Sequence, residues 1–492
     1  MARIIDVPAR LGLDDYESVA HLAPAVRTLR EEAVRTARTL EGRTLWMVNS
    51  TEHGGGVAEM LPTVVTLLRE LGVKTEWAVI ESQEPRFFEL TKRIHNLIHG
   101  AGSPDLTAEH RELFEGENAR NAEEMAPWLS PGDILLVHDP QPMPLARILA
   151  DRVDLRTVWR CHIGLDEENE ATNTAWRFLM PYAAAYERGV FSAPEYVPGM
   201  FRKISTVITP AIDPLSHKNR DLPLHKIMGV LSNAALAAVS TPVLTPMYPW
   251  VAQRLQPTGR WAPANMSEDI GLPTRPIVSQ ISRWDRLKGW VPLLEAFAAL
   301  KSRERVDGRH DGHEHRRRLE LVRLALAGPE PESVADDPEA TEVLEELVGR
   351  YEELPPHIQR DIALIALPLG DPAQNALMVN AIQRSSSLVV QNSLREGFGL
   401  TVTEAMWKHV PVLSNSRACG PRQQVRDGID GRLVTDPSDV DALVEALDDM
   451  LRASAEREDW GRNAQRRVHR HFLVFNQVSA WLHLLEGLLH DR

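Results

Sequence analysis

The feature that most restricts the fold of this chain is an alternation of strand-like apolar segments with segments of helical spacing. In the first half a helix is predicted at 57–72, after a Gly-rich turn, and it lies between two strands. Strands and helices that alternate at this spacing are typical of a parallel sheet with helical crossovers. The strands predicted in this half are 43–50, 74–80, 132–140, 156–164 and a short one within 197–214.

The same alternation returns in the second half, after a segment rich in Pro, Ser, Asn and Ala. Two such halves predict an α/β protein with two Rossmann-like, doubly wound domains that face one another across a cleft holding the site. The predicted strands are 276–283, 320–328, 361–369, 387–393 and 410–416, and the helices are 290–303, 439–453 and 480–490. The predicted domains are 1–214, a linker or insertion at 215–275, a second domain at 276–472, and a C-terminal helix at 473–492 that packs back on the first domain.

Composition excludes several classes of protein. The chain has 492 residues and a net charge of −14, which argues against a nucleic-acid partner. Neither an apolar run of about 18 residues nor a secretory signal is present, so we expect a cytoplasmic protein without a membrane span. Cys161 and Cys419 provide neither a disulfide framework nor a metal spacing. The His-rich segment 305–318 is predicted to be a solvated loop rather than a metal site.

The stretch SLREGFGLTVTEAMWK (393–408) places two carboxylates around a glycine-containing turn. Gly397 and Gly399 of this turn permit unusual backbone angles and the close approach of a ligand. A helix is predicted from about Thr401, and the free N–H groups at its start favour an anion such as a diphosphate. Glu396 and Glu404 suit sugar hydroxyls, so the pattern fits a nucleotide sugar. Two surface acids near a helix start are the structural alternative.

Glu396 and Glu404, with GFGL between them, resemble the signature of retaining glycosyltransferases of family 4, which have the GT-B fold. The stretch SRWDRLKG (282–289) is similar to the donor site of that family at Arg283 and Lys288. Two such cations stabilise the departing diphosphate without a metal. The resemblance implies that Arg283, Lys288 and Glu396 are catalytic. The donor-binding residues that it implies are Gly55, Gly56, Gly397, Phe398, Gly399, Leu400, Thr401 and Glu404.

Two stretches of the first half, VHDPQPMPL (137–145) and WRCHIGLD (159–166), narrow the resemblance to the trehalose glycosyltransferring synthases. These enzymes join nucleoside-diphosphate glucose to free glucose and give α,α-trehalose. The resemblance covers 43–220 and 276–490. It implies that 1–214 is the acceptor domain and that the second domain binds the donor.

The same resemblance assigns roles to four polar residues at the ends of predicted strands. It implies that Asp139 and His162 are catalytic and lie at the acceptor and the reacting sugar. It implies that Gln141 and Arg160 bind the acceptor beside them. The structural alternatives are a turn cap at Asp139 and a satisfied core histidine at His162.

The reaction that the resemblance implies needs no cofactor. The donor would be a glucose carried on UDP, ADP or GDP, and Mg²⁺ would be at most auxiliary. The expected partners are small-molecule sugars, and a homodimer stays open. Three alternatives remain: a trehalose phosphorylase, a related glucosyltransferase with a natural-product or polyol acceptor, and a nucleotide-sugar-binding protein without turnover.

Overall fold

The chain forms two compact α/β units. In a computed structural model, the first unit is Met1–Asp213 with Phe472–Arg492, and the second is Pro214–His471. The chain therefore leaves the first unit once and returns to it at its C-terminal end. The residues that the structure describes are 2–7, 11–52, 55–238, 248–266, 269–306, 313–330 and 338–490.

In the described part of the chain, each unit is built on one sheet, of seven strands in the first unit and eight in the second. The strands of the first unit are β1 (Arg3–Ile4), β2 (Leu45–Asn49), β3 (Thr75–Val79), β4 (Ile134–His138), β5 (Arg156–Cys161), β6 (Arg188–Phe191) and β7 (Ser205–Val207). Those of the second unit are β8 (Gln253–Leu255), β9 (Trp261–Pro263), β10 (Ile277–Ile281), β11 (Arg323–Pro329), β12 (Ile362–Leu367), β13 (Leu388–Val390), β14 (Val412–Asn415) and β15 (Gly431–Val434).

The strand orders are those of doubly wound sheets. The first sheet runs β1-β3-β2-β4-β5-β6-β7, and the second runs β15-β14-β13-β10-β11-β12-β8-β9. Strands β2 to β7 are paired in parallel, as are β10 to β15. Among the described residues, antiparallel pairing is confined to one end of each sheet: β1 against β3, β8 against β12, and β9 against β8. The predicted α/β fold is confirmed.

Helices cover the sheets of both units. Among the described residues, none is long and apolar enough to cross a membrane. The helices of the first unit are α1 (Leu13–Glu17), α2 (Ala23–Thr39), α3 (Gly55–Glu70), α4 (Pro85–Ile98), α5 (Ala108–Met125), α6 (Leu145–Leu149) and α7 (Glu170–Ala183). The second unit contains α8 (Leu224–Asn233), α9 (Trp290–Val306), α10 (His313–Leu321), α11 (Pro338–Glu352), α12 (Pro356–Gln359), α13 (Pro372–Arg384), α14 (Leu400–Trp407), α15 (Cys419–Gln424), α16 (Val440–Arg452) and α17 (Ser454–His471), and α18 (Val474–His490) returns to the first.

The core of the second unit lies on both faces of its sheet. Leu324 and Leu326 of β11 belong to a cluster that includes apolar residues of α9, α11 and α16. Ala325 and Ala327, which alternate with them, belong to a cluster with residues of α8 and α13. Since successive side chains of a strand point to opposite faces, a strand covered on both sides is apolar throughout. This is why the central strands were readable as continuous apolar runs.

The C-terminal helix α18 packs on α2 and α3 of the first unit. The ring of Phe475 meets that of Tyr16 edge to face, with 5.2 Å between the centroids. The hydroxyl of Ser479 donates a hydrogen bond to a carboxylate oxygen of Glu32 over 2.6 Å. These contacts explain why the helix belongs to the first unit, although the chain reaches it through the second.

The segment 215–275 is predicted to be a linker or insertion, and its described parts are folded into the second unit. Helix α8 packs on α13, and β8 pairs with β12. The side-chain amide of Asn380 donates to the carbonyls of His217 and Arg220 over 3.0 and 2.9 Å. Strands of three residues carry too little periodicity to be predicted from sequence. Residues 239–247 and 267–268 lie outside the described residues.

The prediction of a solvated loop at 305–318 is wrong in part, since α10 begins at His313. His315 is buried, and its Nε2 lies 2.8 Å from Oδ1 of Asp448 in α16. Leu319, one helical turn later, is buried beside it. His310 lies outside the described residues, and in the described part of the chain no three His, Cys, Asp or Glu side chains are grouped to hold a metal ion.

Candidate functional site

In the second unit, the loop after β10 meets the loop after β13. Nζ of Lys288 lies 2.6 Å from Oε2 of Glu396, and the two side chains are only 12% and 15% exposed. β10 and β13 are parallel neighbours, so their carboxyl ends lie at the same edge of the sheet. The structure therefore brings together the cation and the carboxylate that the sequence singled out.

The backbone around Lys288 fixes its direction. A short 3₁₀ turn, Arg286–Lys288, is capped by Asp285, whose carboxylate accepts a hydrogen bond from the N–H of Leu287 over 2.8 Å. Gly289 then adopts φ +60°, and a Cβ there would lie 2.2 Å from the carbonyl oxygen of Asn392. Because only glycine combines this angle with this contact, the turn is held tightly against the end of β13.

Two further side chains orient Glu396. The hydroxyl of Ser393 and the side-chain amide of Gln391 donate to Oε2 of Glu396 over 3.1 and 3.3 Å. Both donors are buried. Sequence reasoning missed them, although polar residues at the end of a buried parallel strand are a usable signal.

The turn after Glu396 leads directly into α14. Gly399 is the N-cap residue and has φ +80°, which favours glycine. The side-chain amide of Gln424 donates to the carbonyls of Phe398 and Gly399, and its oxygen accepts from the hydroxyl of Thr403. The turn is therefore fixed by a side chain that no local sequence pattern indicates. The predicted residues Gly397, Leu400 and Thr401 lie around it and are partly exposed.

Gly420 makes the closest backbone approach to this turn. A Cβ at Gly420 would lie 2.3 Å from the Cα of Phe398, which is backbone and has no room to move aside. We expect Gly420→Ala to destabilise the protein by about 1–3 kcal/mol, measured by urea denaturation.

Gly349 in α11 is the matched control for Gly420, since a Cβ there meets nothing within 4 Å. Gly349→Ala is expected to stabilise the protein by about 0.5–1 kcal/mol, because alanine favours a helix. Equal unfolding midpoints for the two variants would show that the turn does not depend on this close approach.

Glu404 lies inside α14 and is buried. Its Oε1 is 3.8 Å from Nζ of Lys218, a residue that sequence reasoning did not connect to the site. Nζ of Lys408 donates to the carbonyl of Glu404 over 3.1 Å and to Asn219 over 3.2 Å. Burial lowers the pKa of Lys408 to about 7, against the opposing effect of the Glu404 charge. The carboxylate of Glu404 therefore lies near the ammonium group of Lys218, whereas Lys408 contacts its backbone carbonyl.

Arg283 behaves differently from Lys288. Its guanidinium is 66% exposed and lies 3.6 Å from Oδ2 of Asp285. Within the described residues, its ion pair is with Asp285 rather than with Glu396. Of the two predicted donor-site cations in the loop after β10, Lys288 therefore pairs with Glu396, and Arg283 faces solvent.

In the first unit, Asp139 and His162 meet at the carboxyl ends of β4 and β5. Oδ1 of Asp139 accepts a hydrogen bond from the backbone N–H of His162 over 2.8 Å. Asp139 has φ +62°, in the left-handed region where Asp and Asn are enriched. Its own N–H donates to the carbonyl of Arg160 over 2.7 Å. The carboxylate therefore links two neighbouring strand ends.

A second histidine, missed by sequence reasoning, lies beside this pair. Nδ1 of His138 is 3.0 Å from Nε2 of His162, and the rings are stacked. Burial lowers the pKa of His138 to about 3 and that of His162 well below its usual value. Burial raises the pKa of Asp139 to about 6, against the N–H of His162 and the charge of Arg160. Around neutral pH both histidines are thus neutral and Asp139 is ionised.

The other predicted residues of the first unit lie near these strand ends. Arg160 is buried, donates to the hydroxyl of Ser192 over 3.3 Å, and has a pKa lowered by burial to about 10. The backbone carbonyl of Gln141 accepts from the amide of Asn118 over 3.1 Å. Gly55 and Gly56 begin α3, whereas Gly54 lies outside the described residues.

Two doubly wound units, each with charged and polar side chains at the carboxyl ends of its strands, are the architecture of a glycosyltransferase of the GT-B fold. The solved structure of the trehalose-6-phosphate synthase OtsA matches 92% of this chain and 99% of its own with a TM-score of 0.65, at 14% identity. Family models named "Trehalose synthase, N-terminal domain" and "Glycosyl transferases group 1" match residues 47–198 and 373–467.

Full-length relatives make the assignment more specific. Trehalose synthase of Pyrococcus horikoshii is 33% identical over 477 residues, which cover 97% of this chain and 96% of that protein. Trehalose phosphorylase of Pleurotus pulmonarius is 26% identical over 96% of this chain and 59% of its own length. The chain belongs to the trehalose synthase family of glycosyltransferases.

Proposed function

We propose that this enzyme moves glucose from a nucleoside-diphosphate glucose to free glucose, with retention at the anomeric carbon, and forms α,α-trehalose. The observation that carries the proposal is the pairing of Lys288 with Glu396 over 2.6 Å beside the glycine turn that starts α14. A cation, a sugar-binding carboxylate and a helix N-terminus in one place suit a glycosyl diphosphate. The family assignment supports the same reaction.

The donor binds to the second unit in this proposal. Arg283, Lys288 and the N–H groups at the start of α14 hold the diphosphate, and Glu404 accepts hydrogen bonds from the ribose. Glu396 and the backbone at 397–400 hold the glucose hydroxyls. The bond between the anomeric carbon and the phosphate oxygen breaks, and the electron pair leaves with the diphosphate. The cations lower the barrier because they stabilise negative charge that grows in the transition state.

The acceptor is held by the first unit in this proposal. The acceptor hydroxyl attacks the anomeric carbon on the face from which the diphosphate leaves, and its proton passes to the departing phosphate oxygen. Asp139, ionised near neutral pH, stabilises positive charge on the sugar, and neutral His162 orients a hydroxyl. Arg160 and Gln141 contribute to the acceptor site.

The positive charges of Arg283 and Lys288 support a reaction without a resident cofactor, with Mg²⁺ at most auxiliary. The partners are small-molecule sugars, and the cytoplasm is the proposed location. Two buried free cysteines, Cys161 and Cys419, favour a reducing compartment.

The product identifies the function. The enzyme is incubated with UDP-, ADP- or GDP-glucose and a panel of free sugars, and the disaccharide is analysed by NMR. The expected product from glucose is non-reducing and shows a single α-anomeric signal, since its two halves are equivalent.

Each rival function has its own outcome in this assay. Phosphorolysis of trehalose by inorganic phosphate without nucleotide would identify a phosphorylase. A product formed with another sugar but not with glucose would identify that sugar as the acceptor. Donor binding without any product would identify a binding protein.

A further inference from the structure

A basic pocket lies in the second unit, away from the strand ends that form the candidate site. It is a cavity of about 190 Å³ that is formed mainly by one face of α17, together with Arg426. We call it the α17 pocket, and it is lined by Arg426, Asn463, Arg466, Arg467, Arg470 and His471.

Positive charge exceeds negative charge in the α17 pocket. The buried carboxylate of Asp430 pairs with two of its arginines, at 2.7 Å from Nε of Arg426 and 3.9 Å from Nε of Arg467. Burial and the charges of the neighbouring arginines lower the pKa of His471. A pocket whose described lining contains four arginines and no acidic side chain, in a chain of net charge −14, is suited to an anion.

The position of the arginines is not explained by helix stability alone. Arg470 and His471 lie in the last turn of α17, where cations stabilise the helix dipole. Arg426 lies outside this helix, yet it lines the same cavity. Guanidinium groups that converge from two elements match the several oxygens of a phosphate group.

One arginine connects the α17 pocket to the turn after Glu396. Nε and an NH₂ group of Arg467 donate to the carbonyls of Gln424 and Gln423, both over 2.7 Å. The side chain of Gln424 holds the carbonyls of Phe398 and Gly399. A movement of Arg467 toward a bound anion would therefore displace Gln424 and, through it, the turn at 397–399.

We propose that the α17 pocket binds a small, multiply charged phosphate compound, such as a diphosphate or a phosphorylated sugar, and thereby adjusts the turn at 397–399. Arg466 and Arg470 contact the phosphate oxygens, and Arg467 transmits occupancy through Gln424. The cavity volume admits a small anion rather than a polymer.

The test is calorimetric titration of the full chain with inorganic pyrophosphate, with and without a nucleoside diphosphate that occupies the donor site. We expect Arg466→Gln/Arg470→Gln to raise the Kd for pyrophosphate by about tenfold or more. The control is Arg452→Gln/Arg462→Gln, which removes the same charge from exposed ion pairs with Asp448 and Asp459. Glucose 6-phosphate in place of pyrophosphate distinguishes a sugar phosphate from a free diphosphate.

A second measurement tests the connection to the turn. At saturating donor, where competition at the donor site vanishes, pyrophosphate should change kcat in the wild type and the control but not in the pocket variant. Equal Kd values in the pocket variant and the wild type would overturn the site. An equal response of kcat in the three proteins would overturn the connection. If the double variant fails to fold, Arg466→Gln alone serves, since Arg466 is exposed and bonds only weakly to Asn463, at 3.4 Å.

Discussion

Replacement of Lys288 by alanine is expected to lower kcat by about 10²-fold or more, the effect typical of losing one preorganised charge stabiliser. The ammonium group lies 2.6 Å from Glu396 in a place that is mostly closed to solvent. Its position is fixed by a capped turn before it and a tightly packed glycine after it. Charge that needs no rearrangement during the reaction is the most effective kind. The measurement is the steady-state rate of nucleoside diphosphate release at saturating donor and acceptor.

Arg286→Ala provides the matched control for Lys288→Ala, because it removes a cation from the same turn. Arg286 is 53% exposed and pairs with Glu342 and Glu346 at 2.9 and 3.2 Å. Exposed pairs of this kind contribute little, so kcat should stay near the wild-type value. A kcat for Lys288→Ala that equals that of the control would remove the leaving-group role from Lys288. Circular dichroism of both variants verifies that each is folded.

The sequence was sufficient to predict the parts of this protein that depend on repeated patterns. Central strands such as β11 are apolar throughout because helices cover both faces, and loops after parallel strands meet at one edge. Lys288 and Glu396, far apart in sequence, were therefore predictable neighbours once β10 and β13 were placed in one parallel sheet.

The remainder of the site depends on contacts between distant elements, which leave no periodic signal. Gln424 fixes the turn at 397–399 from another helix, and Lys218 approaches Glu404 from a segment that was predicted to be a linker. The exposure of Arg283 and its pairing with Asp285 were not predictable from the strand–loop–helix order. The roles of these residues in the reaction stay predictions.

Asp139→Asn is expected to lower kcat by about 10²-fold, since it removes the negative charge that is proposed to stabilise positive charge on the sugar. Asparagine tolerates the left-handed backbone at this position, and its side-chain oxygen can still accept the N–H of His162. The variant therefore removes the charge and keeps the link between the strand ends. The exposed carboxylate of Asp151 gives the control Asp151→Asn, which should leave kcat unchanged.

The pH dependence of kcat/KM tests whether ionised Asp139 is required for activity. Because burial raises its pKa to about 6, kcat/KM should fall by about tenfold per pH unit below pH 6 and be level above it. His138 and His162 are not expected to supply this limb, since burial lowers the pKa of His138 to about 3 and that of His162 well below its usual value. Asp139→Asn should remove the acidic limb. A limb near pH 6 that persists in the variant would assign it to another group.

Stability should change with pH in the direction opposite to activity. The folded state keeps the proton of Asp139 up to about pH 6, whereas the unfolded chain loses it near its usual pKa of about 4. The contribution of this group is therefore fully present below about pH 4 and is lost as the pH rises through 6. Asp139→Asn abolishes that dependence, so the difference in unfolding free energy between wild type and variant should shift in favour of the variant between pH 4 and 6. This opposition is expected of a carboxylate held in an unfavourable environment for catalysis, and a turn cap that favours the ionised form would give the reverse sign.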